Sequence, residues 1–241
     1  MSTRIARSLC AALVAGSLAL AGTASGQAVP ETKKIGSDYR WNAMNVEKID
    51  ALELVGDVEN GKAAYEEECA SCHLPSGAGQ PDGKFPQLAG QHDTVLIKQI
   101  ADIRAERREN RVMHPYSMKL IDAQEIADVA AYLQTLPIPP GNGKGPGTNL
   151  ATGERLYQRD CVQCHGKQGE GNEETFYPVL AGQHYEYMLR QIRDIAAGRR
   201  RNANPDMVKV VKTYKDEELQ AVVDYMSRLH WPERSAKSSG G

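Results

Sequence analysis

Large aromatic side chains are scarce in this chain: two Phe and two Trp stand among 241 residues, and aromatics total 6%. A core with so little ring volume would be thin, so another bulky group is expected to fill it. Basic charge is not in excess either. Twenty-nine Lys and Arg face 31 Asp and Glu, for a formal charge of −2. That gives no field for gripping phosphate backbones and argues against a nucleic-acid role. Nor is the chain apolar enough for repeated membrane spans. Hydrophobic residues make up 41% and charged residues 25%, a soluble globular average that also excludes a disordered chain. The length allows one or two domains.

Residues 1–28 read as an export signal. Arg4 and Arg7 form a basic start, Leu9 to Ala21 an apolar stretch too short for a stable span, and Gly22, Thr23, Ala24, Ser25 and Gly26 a peptidase-compatible end. The alternative is an uncleaved anchor; Cys10 sits too early in the stretch for a lipoprotein site. Cleavage near Gly26 removes two Arg and no acid, leaving 27 basic against 31 acidic residues, about −4.

Of the five cysteines, four remain beyond Cys10, as the pairs Cys69/Cys72 and Cys161/Cys164, each followed directly by His. Cys69-Ala-Ser-Cys72-His73 recurs 92 residues later as Cys161-Val-Gln-Cys164-His165. The same spacing relates Leu88-Ala89-Gly90-Gln91-His92 to Leu180-Ala181-Gly182-Gln183-His184, and Gln99, Asp102, Arg107, Arg108 and Asn110 to Gln191, Asp194, Arg199, Arg200 and Asn202. So many agreements at one spacing mean a duplicated domain. The copies are expected over 57–137 and 149–232, with a Pro/Gly-rich linker at 138–148, an N-terminal extension at 29–56 and a tail at 233–241. Helical periodicity recurs in both copies, Asp57 standing as an N-cap with Val58, Ala64 and Tyr65 inward, and no alternating strand pattern appears. The fold class is all-α with two domains.

Cys-x-x-Cys-His lets two sulfurs reach the vinyl groups of one haem while the adjacent His lies under the iron. A zinc site built from Cys pairs and a pair of redox disulfides are the alternatives. Export, duplication and the immediate His in both copies favour haem, and two haems would supply the missing core bulk.

On these residues the chain resembles the diheme class I cytochromes c of the cytochrome c4 type, over about 57–231. The resemblance implies two tandem cytochrome c domains, each with one covalent haem c: Cys69, Cys72 and His73 hold the first, Cys161, Cys164 and His165 the second. It also implies a periplasmic electron relay between redox protein partners, a donor and an acceptor such as a membrane-bound respiratory complex or terminal oxidase, with peripheral membrane association among the options.

Distal iron ligands decide between transfer and catalysis, because Met sulfur fills the sixth position. Family spacing before the last helix points to Met207 in the second copy; Met188 and Met226 read as core. In the first copy Met113 is the choice, with His114 and Met118 as alternatives. Gly61 and Gly153 resemble the close crossing of first and last helices, opposite Tyr132 and Tyr225. His92 and His184 read as solvent-facing first-turn residues. Arg104, Arg107, Arg108, Arg111, Arg199, Arg200 and Arg201 read either as partners of haem propionates or of an acidic protein, or as a solvated face. The function expected is an electron carrier rather than an enzyme; the alternatives are a subunit of a larger complex and a diheme oxidoreductase with one labile haem.

Overall fold

The computed structural model describes residues 41–231, so the expected export signal and the tail at 233–241 lie outside the described residues. Among the described residues there are eleven α-helices and no β-strand, only a single bridge between Asn172 and Tyr177. No helix among them is long and apolar enough to cross a membrane. A short α1 (Val46–Glu53) precedes the first lobe, made of α2 (Val58–Glu68), α3 (Ala70–His73), α4 (Asp93–Arg104), α5 (Met113–Ser117) and α6 (Ala123–Thr135). The second lobe repeats that order as α7 (Leu150–Asp160), α8 (Val162–His165), α9 (Tyr185–Ala196), α10 (Pro205–Val211) and α11 (Asp216–Met226).

Local chemistry sets the helix starts. Asp57 accepts from the Asn60 amide at 2.9 Å and Asp122 from the Glu125 amide at 2.9 Å, each satisfying an amide that has no partner inside its helix. Two short helices, α5 and α10, precede the last helix of their lobes and carry Met113 and Met207. The start of α10 is set locally: Asn204 caps the Asp206 amide at 2.7 Å and Pro205 occupies the first turn, its φ already helical.

First and last helices cross in each lobe at a glycine. A Cβ built on Gly61 would overlap the Asp128 carbonyl oxygen and reach 3.0 Å from Tyr132 Cβ. One on Gly153 would overlap the Ala221 carbonyl oxygen and reach 3.0 Å from Tyr225 Cβ. Only glycine lets the two backbones approach so closely. Tyrosine rings pack at a tilt beside each crossing, Tyr65 against Tyr132 at 5.6 Å and Tyr157 against Tyr225 at 5.5 Å between centroids. Val58, expected to face inward, lies a turn before the crossing and is 39% exposed. Leu96, Ile97, Ile126, Val129 and Leu133 complete the first core; Leu156, Leu189, Ile192, Val208, Leu219, Val222 and Val223 build the second.

The lobes meet through polar groups that obey the repeat. Gln183 Oε1 accepts from the Gln87 amide (3.0 Å) while Gln183 Nε2 donates to the Gln87 carbonyl (2.9 Å). Gln91 does the same to Val179, at 2.9 and 3.1 Å. His184 Nε2 donates to the Ala78 carbonyl and His92 Nε2 to the Glu170 carbonyl, both at 2.8 Å. Each contact is the image of its partner at the 92-residue spacing, so two homologous lobes bury the same surface as an internal pseudo-dimer. His92 and His184 are therefore not solvent-facing: they are 5% and 3% exposed, because the opposite lobe covers the helix starts that an isolated domain would leave in water.

The arginine pattern divides in the same way. Arg108 and Arg200 each bridge Gln99 and Gln191 across the boundary at 2.9–3.1 Å. Arg104 is tied to Glu47 and to the Leu120 carbonyl, and Arg107 to the Ala43 carbonyl. Arg111 and Arg199 sit in exposed pairs with Glu109 and Asp194, and Arg201 donates to the Glu106 carbonyl from an exposed position.

His184 also ties the connecting segment down, since its Nδ1 accepts from the Gly143 amide at 3.0 Å. His184→Ala would break the bond to Ala78 and leave that amide without its partner. We expect a loss of roughly 1–3 kcal/mol, read as a lowered thermal midpoint; an unchanged midpoint would show that the boundary does not depend on this ring.

Candidate functional site

Each Cys-x-x-Cys-His run occupies the same structural position. The helix from Asp57 ends at Cys69, which opens the single turn α3 carrying Cys72 and His73. Cys161 does the same between α7 and the turn that carries Cys164 and His165. All four sulfurs are half-buried and form no disulfide with one another. Burial pushes the Cys69 thiol up to about 11 and the Cys161 thiol up to about 12. The two pairs sit in different lobes, and no group of three or more His, Cys, Asp or Glu among the described residues could hold a metal ion by itself. A shared Cys-only zinc site therefore has no geometry to support it.

The helix crossing is what aims this turn. Tyr65 Oη donates to the Leu74 carbonyl and Tyr157 Oη to the Gly166 carbonyl, both at 2.7 Å. That bond pins the residue immediately after each His to the first helix. At this position the backbone is left-handed, with φ of 77° at Gly166 and 66° at Leu74. Glycine takes this positive φ with extended ψ (171° at Gly166) freely, whereas Leu74, with ψ of 153°, bears a strain of roughly 1–3 kcal/mol that the surrounding bonds hold in place.

His73 is 3% exposed and His165 8%. His73 Nδ1 lies 2.9 Å from the Pro86 carbonyl oxygen and His165 Nδ1 3.3 Å from that of Pro178. A carbonyl only accepts, so Nδ1 carries the proton and Nε2 keeps its lone pair. Burial lowers the pKa of both rings, which favours the neutral imidazole. Phe85 and Tyr177 stand at equivalent places beside the two rings, 6.0 and 6.3 Å between centroids. In the first lobe Nε2 of His73 is buried with no hydrogen-bond partner. A buried ring nitrogen, oriented by its other nitrogen and left without a partner, is what an axial metal ligand requires. Two thiols on the same turn add the attachment points that a covalently bound haem needs at its vinyl groups.

The distal candidates separate less sharply. Met207 lies in α10, half-buried and packed on the second core; Met188 and Met226 are buried within that core, as read from the sequence. Met113 opens α5, half-buried, its amide donating to Asn110 Oδ1 at 3.1 Å. Met118 is 50% exposed. The His114 side chain is 36% exposed, with Nε2 3.9 Å from Glu106. Of the three, Met113 and His114 are half-buried and Met118 is exposed.

The sequence patterns give Lys48 no role and mark Asp102 and Asn202 only as parts of the repeat. These residues meet in a buried cluster with Lys98, and no motif marks any of them.

The family model for cytochrome c matches this chain twice, at residues 58–137 and 150–230. A protein named cytochrome c4 from Azotobacter vinelandii is 32% identical over 188 residues, 70% of this chain and 87% of the relative. A protein named thiosulfate dehydrogenase electron acceptor, from Stutzerimonas stutzeri (strain A1501), is 33% identical over 172 residues, 67% and 78% of the two chains. Among solved structures, reduced recombinant cytochrome c4 from Pseudomonas stutzeri superposes with a TM-score of 0.65 at 28% identity, covering 73% of this chain and all of that one.

Proposed function

Starting from the chain's membership of the cytochrome c family, in the two-domain form of cytochrome c4, we propose that it is a periplasmic carrier relaying electrons from a dehydrogenase or respiratory donor to a terminal acceptor. The family carries two covalently attached haem c groups, whose iron supplies the one-electron chemistry. In this reading Cys69 and Cys72 anchor one haem and Cys161 and Cys164 the other, each through two thioether bonds. His73 and His165, oriented by Pro86 and Pro178, would each offer Nε2 to an iron. Met113 and Met207 would each offer a sulfur as the second protein ligand. The observation that carries the proposal is the buried, partnerless Nε2 of His73, together with the same oriented ring in the second lobe.

A dehydrogenase as donor is supported by the relative whose name makes it an electron acceptor of thiosulfate dehydrogenase. The export-signal reading of residues 1–28 supports the periplasm. Transfer without catalysis needs both axial positions filled, so that a change of oxidation state moves few atoms.

The test is the absorption band of Met–iron ligation in the oxidised protein. Met207→Ala is expected to remove half of it and Met113→Ala the other half, each lowering one reduction potential. A band that survives Met113→Ala but halves in Met118→Ala would transfer the first-lobe role to Met118. Strong cyanide binding by the unmodified protein at neutral pH would favour an enzyme with an open haem.

A further inference from the structure

The first lobe contains a cluster of charge that its copy lacks. Lys48 on α1 and Lys98 on α4 each donate to one carboxylate oxygen of Asp102, both at 2.6 Å, and the three side chains are at most 1% exposed. Lys48 Nζ also donates to the Ala43 carbonyl (2.9 Å), and Lys98 Nζ sits 4.6 Å above the Trp41 ring. From the second lobe, Asn202 Nδ2 donates to Asp102 Oδ2 at 2.8 Å, while the Asn202 carbonyl takes a 3.4 Å bond from Lys98. Two ammonium groups on one carboxylate leave a net positive charge inside the protein. In the second lobe the position of Lys98 is Arg190, bonded to the Gly83 carbonyl, and that of Asp102 is Asp194, paired with Arg199 at the surface. Lys48 has no counterpart there, because α1 precedes the repeat.

We infer that the Lys48–Asp102–Lys98 cluster is a proton-linked electrostatic site that raises the reduction potential of the first lobe. The inference rests on the electron-carrier reading. The opposite face of α4 presents Leu96, Ile97 and Ile100 to the core on which Cys69 packs, so the cluster stands about one helix diameter from that core, roughly 10 Å. Solvent screens surface charges at that range, but it screens a buried charge far less. A fixed positive charge disfavours the oxidised state, which is the more positive one, and so raises the potential.

The cluster can also lose its charge. Facing Lys98 are Lys48, Asp102, Arg200 of the second lobe and the Trp41 ring; facing Lys48 are Asp102 and Arg107. Burial outweighs Asp102 at Lys98 and lowers its pKa to about 8; Lys48 is lowered for the same reason. Releasing one proton leaves a neutral cluster, and the potential then falls. In the reverse direction, each electron gained from the donor draws a fraction of a proton onto the free amine, –NH2 becoming –NH3+.

Potentiometric titration of the purified diheme protein from pH 6 to 10 tests this. Two one-electron waves are expected, one falling with pH above about 8 and the other level. Lys48→Met should move the first wave to lower potential at pH 7 and leave it level up to pH 9, because the remaining pair is neutral and Lys98 has lost a like-charged neighbour. Lys98→Arg should keep the high potential but weaken the pH dependence near pH 8, since guanidinium does not titrate and Lys48 is the one lysine left on Asp102. Arg190→Met should leave both waves in place. Proton uptake on reduction, followed with an indicator dye in weak buffer, should appear at pH 8–9 in the unmodified protein and fall at least twofold in Lys98→Arg. Two level waves in the unmodified protein, or an unmoved wave in a Lys48→Met variant with native circular dichroism, would overturn the inference. Absence of haem-based redox waves altogether would instead sink the electron-carrier reading.

Discussion

Gly153→Val is expected to destabilise the second lobe by about 3 kcal/mol, the upper end for forcing bulk into a packed contact. The reason is the crossing of α7 and α11. The first carbon of any side chain at Gly153 would overlap the Ala221 carbonyl oxygen, and that oxygen belongs to backbone that cannot swing aside. The helices must therefore separate along their contact, loosening Tyr157 from Tyr225 and drawing Tyr157 Oη away from Gly166. Packing loss and displacement of the His165 turn thus follow from one substitution. For a chain of this size the cost corresponds to a fall of roughly 10 °C in the midpoint of the affected transition. Calorimetry should show the loss for Gly153→Val, and again for Gly61→Val at the crossing with Asp128. A midpoint within 2 °C of the parent, a small fraction of roughly 10 °C, would mean that the crossing is looser than described.

Cys161→Ser combined with Cys164→Ser should halve the haem content. A hydroxyl does not form the thioether, and the only other described cysteines lie in the first lobe. The pyridine haemochrome assay should fall from two haems per chain to one, and haem staining after denaturing electrophoresis should fall by the same factor. Lobe 2 should also lose stability, because Cys161 packs on the core that contains Tyr157, Leu156 and Val222 and the bound group fills volume there. The matching change at Cys69 and Cys72 should remove the other half. Retention of both haems after the double substitution, or loss of both, would contradict one attachment site per lobe.

Much of this arrangement is legible in the chain. The Cys-x-x-Cys-His runs, the 92-residue spacing and the buried Met188 and Met226 follow from spacing and side-chain type, and the family resemblance adds the glycine-tyrosine pairs at the helix crossings. These are local matters: a helix face, a turn or a close approach is decided within a few residues. His92 and His184 show where such reading stops. Alone, each looks like a first-turn residue in water; the opposite lobe buries both, and nothing near them in sequence announces it. Gln87, Gln91 and Gln183 are the same case, since their partners lie 88 to 96 residues away.

The amino-acid order by itself determined that the domain is doubled, helical and equipped twice with the same sulfur and imidazole donors. Only the tertiary structure decided which nitrogen of each imidazole is left over, how the two copies close on one another, and that α1 brings Lys48 to Asp102 and Lys98. Periodicity and motif spacing act along the chain. The pairing of buried polar groups depends on which surfaces exclude water together, and that is settled when distant segments pack.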